Sequence, residues 1–342
     1  MQPRGPWQPR QIGNRFTNLY GAETRTLWDV MRWKWGRNSE KGGQGIAQHE
    51  LPPANCGQAQ PALPKAMRPN YAAIRHPDGR SVNLTWIGHS TFLIQMGGVN
   101  LLTDPHWSEY CAPLPLARYR RRTGPGLSLR ELPRIDAVLL SHNHYDHLDR
   151  ATLESLGRGS RIFCPTGMRA LLRGWGFLSV SEHSWGETVS LEGVRLTALP
   201  AQHGSARTAL DRNRSLWCGW MMESEACRVM FLGDTGYAPF FREFRTAFGA
   251  VDAALIPIGA YRPGWFMKPV HLNPWEAVQV HLELQARFSV AMHWGTFDLA
   301  DEPLAEPPAL LHQAREAAGV EPDRFQVVGQ GSTLVIPERN CG

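Results

Sequence analysis

Four side chains able to bind metal ions stand within the seven residues Ser141-His142-Asn143-His144-Tyr145-Asp146-His147: three imidazoles and a carboxylate. His142 and His144 are two apart, so on extended chain they point to the same side. Asp146 and His147 follow where the chain turns toward a helix. So dense a set would repel or waste burial without cations, and it can coordinate two of them. Imidazole with carboxylate suits zinc first, with iron or manganese as compatible substitutes. Three further candidates lie downstream, each just beyond an apolar run. His203 follows Leu199-Pro200-Ala201-Gln202, Asp234 follows Phe231-Leu232-Gly233, and His293 follows Ser289-Val290-Ala291-Met292.

Strands must deliver these groups. The apolar run 135–140 leads straight into the histidines and predicts a buried strand. Runs at 82–87, 91–96 and 99–103, separated by Gly88-His89-Ser90 and Gly97-Gly98, predict a meander. Further strands are predicted at 161–164, 194–199, 216–222, 229–232, 253–257, 289–293 and 325–336. Asp149 is placed to cap a short helix over 150–156 that stops at Gly157. Asn273 and Glu276 form a capping box for a helix over 274–287. Strand runs broken by helices in both halves predict two packed sheets with helices outside, an α/β (α+β) architecture.

Residues 1–70 differ in composition. They are rich in Gly, Pro, Gln and Trp, and 42–66 reads as loop or linker. A helix is predicted over 24–36, presenting Leu27, Trp28, Met31 and Trp35 among Arg25, Arg32 and Lys34. We therefore expect an amino-terminal extension over 1–70 that packs on or near a catalytic domain over 71–342. Across the 342 residues, 42% are apolar and 20% charged, enough for a large core. No apolar run approaches the roughly 18–20 residues that span a bilayer, and Met1 to Arg10 has no apolar signal-peptide core. The six cysteines show no C-x-x-C spacing and read as reduced thiols of a cytoplasmic chain. A net charge of +5, locally dense at Arg118, Arg120, Arg121 and Arg122, would suit an anionic partner or merely a solvated face.

The H-x-H-x-D-H run, a later His, an Asp within Gly-Asp-Thr and a final His resemble the ligand pattern of the metallo-β-lactamase superfamily. Within it, Leu84-Thr-Trp-Ile-Gly-His-Ser-Thr, Leu102-Thr-Asp-Pro and Ser141-His-Asn-His-Tyr-Asp-His-Leu-Asp resemble N-acylphosphatidylethanolamine-hydrolysing phospholipase D. So do Gly233-Asp-Thr-Gly-Tyr, Ile256-Pro-Ile-Gly-Ala-Tyr, Trp265-Phe-Met-Lys, His293-Trp-Gly-Thr-Phe and Asn14-Arg-Phe-Thr-Asn. The resemblance implies an αββα four-layer sandwich with two zinc ions. It also implies hydrolysis of N-acylphosphatidylethanolamine to N-acylethanolamine and phosphatidic acid by a metal-activated hydroxide. Carried over by position, His142, His144 and His203 hold one metal and Asp146, His147 and His293 the other, with Asp234 bridging. Asp146, Asp234 and His271 are the expected catalytic groups, and Tyr145 and His271 the expected phosphate neighbours. His89, Asp104 and His106 read as groups behind the ligands, where a carboxylate orients an imidazole. The expected partner is a phospholipid at a membrane surface, met by a peripherally associated protein, with a homodimer compatible and no nucleic acid expected. Other readings are a lactonase, a phosphoester or nucleic-acid hydrolase on the same scaffold, and a non-catalytic lipid-binding protein.

Overall fold

The structure is a computed structural model that describes residues 7–21, 29, 32, 33, 63 and 66–339. A small hairpin, β1 (Arg10–Ile12) and β2 (Arg15–Thr17), precedes two seven-stranded sheets. The first sheet holds β3 (Val82–Gly88), β4 (Thr91–Met96), β5 (Val99–Thr103), β6 (Ala137–Leu139), β7 (Ile162–Pro165) and β8 (Val180–His183). The second holds β9 (Thr188–Leu191), β10 (Val194–Leu199), β11 (Gly219–Glu223), β12 (Arg228–Phe231), β13 (Ala253–Pro257), β14 (Phe288–Met292) and β15 (Phe325–Gln326). The last strand, β16 (Thr333–Ile336), returns to the first sheet beside β3.

Side-chain alternation explains why these sheets form two inner layers. In β4, Phe92, Ile94 and Met96 face the core shared with the second sheet, while Leu93 faces outward with Leu102 of β5. In β6, Ala137 and Leu139 point inward and Val138 outward. Both faces are apolar because helices cover the outside, as strands buried on two sides require. On the first sheet that cover is α1 (Tyr71–Arg75), α2 (Arg150–Leu156) and α3 (Arg169–Gly174), which bury Ile74, Leu153 and Leu172. On the second sheet it includes α4 (Phe240–Phe248), α6 (Pro274–Leu284) and α7 (Glu306–Ala318). Phe240, Phe244 and Phe248 recur every four residues on one face of α4 and reach the core. The short α5 (Gly264–Met267) lies between β13 and α6.

Each sheet begins as an antiparallel meander and continues in parallel strands, from β5 to β8 and from β12 to β15. As a result β5, β6, β10, β12, β13 and β14 all end at one edge of the sandwich. The predicted caps form as read: Asp149 accepts from Ala151 N, and Asn273 from Trp275 N and Glu276 N. The helix after Asn273 stops at Leu284, because Gln285 turns left-handed. The predicted strand 325–336 is two strands in different sheets. The chain turns between them at Gly331, at φ +90°, whose N–H bonds Trp86 O. The helix predicted over 24–36 lies outside the described residues, apart from 29, 32 and 33. There, Trp33 stacks on Phe266 and donates to Asp301.

Candidate metal centre

The metal-binding run leaves the carboxyl end of β6, and its first residue is fixed before the ligands begin. Ser141 donates both its N–H and its hydroxyl to the buried carboxylate of Asp104, at 2.7 and 2.5 Å. Asp104 extends from β5, and its Oδ2 also takes Nδ1 of His147 at 2.7 Å. That bond leaves Nε2 of His147 aimed into the centre, an arrangement in which a carboxylate sets the tautomer of a ligand. The remaining donors arrive from the other sheet. Gly233 has φ +60°, and a Cβ there would stand 2.8 Å from Ser141 Cβ, so only glycine brings Asp234 this close. Gly259 leaves room for His293, since a Cβ would meet His293 O at 2.0 Å.

Two groups of donors result. His142 Nε2 lies 2.8 Å from His144 Nδ1, which lies 3.1 Å from His203 Nε2. The second group gathers around Asp146 Oδ2, with His89 Nε2 at 3.0 Å, His147 Nε2 at 3.3 Å and His293 Nε2 at 3.5 Å. Asp234 Oδ2 stands between the groups, 3.1 Å from both His147 and His293 and 3.7 Å from His203. In each group the ligand atoms lie within 4.8 Å of one another.

The electrostatics fit a cation. Burial, reinforced by neighbouring imidazoles, holds His142 well below the ordinary imidazole range and His144 near 3, and burial lowers His203 as well. These three rings are therefore neutral and have lone pairs to give. Burial opposes charge on His147 and His293 too, but the Asp234 and Asp146 carboxylates outweigh it. They raise His147 well above its usual value and His293 to about 9. Burial likewise opposes charge on Asp146 and Asp234, and the surrounding imidazoles override it, holding both well below the carboxylate range. Negative charge is thus concentrated where a divalent ion would replace protons. Asp234 Oδ1 and the Nε2 atoms of His147 and His293 are buried without a hydrogen-bond partner, a further sign of donors built for another ligand.

All seven predicted ligands converge. His271 joins them: its Nδ1 is 4.0 Å from Asp234 Oδ2, buried and without a hydrogen-bond partner, and its ring is 5.0 Å from that of His203. Tyr145 lines a surface cavity of about 280 Å³ with Arg207, Tyr110 and Arg150. Lys268 pairs loosely with Glu276 at 3.9 Å. His106 sits behind the centre, bonded to Arg121.

The roles of two residues at the centre are not evident from the sequence, although Asn18 closes the run Asn14-Arg-Phe-Thr-Asn. Arg207 lies 3.9 Å from the ring centre of Tyr145 and donates to Asn143 O and Leu148 O, bracketing the ligand run. Asn18 bonds the backbone of His203. The basic cluster proves to be paired: Arg120 with Glu109, Arg118 with Asp301 and Arg122 with Asp298. Arg121 is drawn inward over Phe297 and donates to the carbonyls of His106 and Ser108.

The chain is similar to known proteins. Residues 99–294 match the model of the β-lactamase superfamily domain. An uncharacterized protein of Mycobacterium tuberculosis is 38% identical over 271 residues, spanning 77% of this chain and 71% of that one. N-acyl-phosphatidylethanolamine-hydrolyzing phospholipase D 1 of Caenorhabditis elegans is 37% identical over 247 residues, 68% of this chain and 69% of the worm protein. Among solved structures, the metallo hydrolase Igni18 of Ignicoccus hospitalis superposes with TM-score 0.59 at 24% identity, covering 76% of this chain and all of that one.

Proposed function

Because the chain belongs to the β-lactamase superfamily, on the branch that holds the worm phospholipase D, and is a metal-dependent hydrolase, we propose that its substrate is N-acylphosphatidylethanolamine. The products would be N-acylethanolamine and phosphatidic acid. The 37% identity to the worm phospholipase D carries the substrate reading, and the position of Asp234 Oδ2 between two sets of donors supports a two-ion centre for it. His142, His144 and His203 would hold one ion and Asp146, His147 and His293 the other, with Asp234 shared. Bound there, zinc would supply Lewis acidity and lower the pKa of water toward ~7, which a phosphodiester needs because its uncatalysed hydrolysis is so slow.

The chain's own groups do the rest. Asp104 and Ser141 hold the ligand run rigid, so its donors need no reorganisation during reaction. His271 is kept neutral by burial, which outweighs the pull of Asp234. A neutral imidazole can donate one hydrogen bond to a phosphoryl oxygen while adding no cation to a crowded centre. Arg207, stacked on Tyr145 beside the cavity, offers a guanidinium to an anionic headgroup.

A two-chain phospholipid stays in its bilayer, so the enzyme must dock. Among the described residues no helix is long and apolar enough to cross a membrane. With Arg118 to Arg122 engaged in pairs, we assign docking to Leu114 and Leu116 instead. They are 62% and 53% exposed on a loop that also reaches the Tyr145 cavity through Ala112.

The test is turnover of vesicle-borne N-acylphosphatidylethanolamine by purified protein. We expect both products, their loss on chelation and their return with zinc. His271→Ala should retain both ions and lose most turnover. A zinc-loaded protein that leaves this lipid intact, while cleaving a lactone or RNA, would overturn the substrate assignment.

A further inference from the structure

His203 is the one member of its trio that the 141–147 run does not carry. It lies four residues beyond the end of β10, and its ring is fixed by Nδ1 against Val270 O at 3.0 Å. Its backbone is fixed from the far end of the chain. Asn18 Oδ1 accepts from His203 N at 3.0 Å, and Asn18 Nδ2 donates to His203 O at 3.0 Å. The same Oδ1 also accepts from the indole N–H of Trp217 at 3.1 Å. Asn18 is buried, and 185 residues separate it from the residue it holds. A side-chain amide offers a donor and an acceptor side by side, so it can pair with one residue's N–H and C=O as a neighbouring strand would. Aspartate lacks the donor, and alanine would leave both groups of His203 unpaired in the interior.

The segment carrying Asn18 is anchored on both sides. Trp7 is buried edge-on against Phe244 and stacked on Phe248 of α4, and its indole donates to Glu243. Phe16 N bonds Asn213 O, and Arg15 reaches the carbonyl of Arg212, so β2 lies along the loop that follows His203. Residues 7–20 therefore form a strap from α4 to the metal-site loop.

We infer that Asn18 is a positioning residue for His203, and that the docked strap sets the metal affinity of the His142–His144–His203 trio. The inference rests on the reading of His203 as a ligand. It does not depend on the substrate. Holding a ligand in its productive place from behind is worth roughly 10–100-fold in metal affinity where it has been measured. By linkage the effect runs both ways: an ion bound at the trio must strengthen the strap's docking by the same factor.

The experiment compares full-length wild type, Asn18→Ala and Asn18→Ser, with Leu311→Ala, at a buried position of α7, as a destabilised control. Each is titrated with zinc in competition with a chromophoric chelator, and with cobalt to read coordination from its visible spectrum. Wild type should bind two ions. Asn18→Ala should keep one at unchanged affinity and bind the other 10–100-fold more weakly, with an altered cobalt spectrum. Asn18→Ser should fall between, and Leu311→Ala should keep both ions. Two tight ions in Asn18→Ala would overturn the inference, as would equal weakening of both or a loss matched by Leu311→Ala. A wild type that binds no metal would sink the ligand reading itself, a distinguishable failure. Should the variants prove too unstable to purify, the wild type reports the same coupling. Amide exchange over 14–20 should quicken on chelation, and an unchanged rate would equally refute it.

Discussion

Replacing Asp104 by asparagine changes one atom and sets two hydrogen bonds against each other. Oδ1 of Asp104 takes the Ser141 N–H, and Oδ2 takes Nδ1 of His147 together with the Ser141 hydroxyl. If the amide oxygen keeps Ser141, the new NH₂ faces the Nδ1 proton of His147. That ring can relieve the clash only by moving its proton to Nε2, the nitrogen 3.1 Å from Asp234 that should bind the ion. If the amide flips, the NH₂ opposes the Ser141 N–H and pushes on the start of the ligand run. Either way one charge-assisted bond becomes a repulsion in a fully buried place. Substitutions of this kind cost 10–100-fold in metal affinity, which is ~1–3 kcal/mol. We expect that loss at the ion held by Asp146, His147 and His293. The chelator-competition assay reads it directly. Wild-type affinity for both ions in Asp104→Asn would refute the argument that this carboxylate sets the His147 tautomer.

Two more predictions follow from burial and charge. His293 rises from the ordinary 6.5 to about 9 in the fold, so in chelated protein it contributes stability that is full below pH 6.5. That contribution is lost as pH climbs through 9; the interval corresponds to ~3 kcal/mol. The melting temperature of chelated protein should therefore fall between pH 6.5 and 9.5 while that of zinc-loaded protein does not, and a flat chelated profile would contradict the charge balance drawn here. Leu114→Asp with Leu116→Asp should weaken sedimentation with vesicles about tenfold or more. Each leucine has roughly half its surface left to bury, ~1 kcal/mol apiece. Turnover of a short-chain soluble analogue should be kept, and equal loss on both substrates would show that the loop serves the fold.

What the sequence disclosed and what it withheld divide along one physical line. Signals confined to a few neighbouring residues were legible. The strands at Thr91–Met96, Val99–Thr103 and Ala253–Pro257 and the Asp149 and Asn273 caps follow from local period and caps, the seven candidate ligands from donor type, and their grouping from the family resemblance. Where a contact joins distant backbone the sequence was silent. The run 325–336 reads as one strand because apolar residues stand at both its ends, and only the pairing of one end with β14 and of the other with β3 shows that the chain crosses between sheets there. The arginines at 118–122 read as a free basic face until their partners at 109, 298 and 301 are in view. Asn18 and Arg207 are the extreme case, because each acts on carbonyl or amide groups that every residue possesses. A ligand can be recognised by its chemistry, whereas a residue that holds a ligand in place is defined by the backbone it reaches. The support of this centre therefore comes from parts of the chain, 7–20 among them, whose composition alone suggested only an extension.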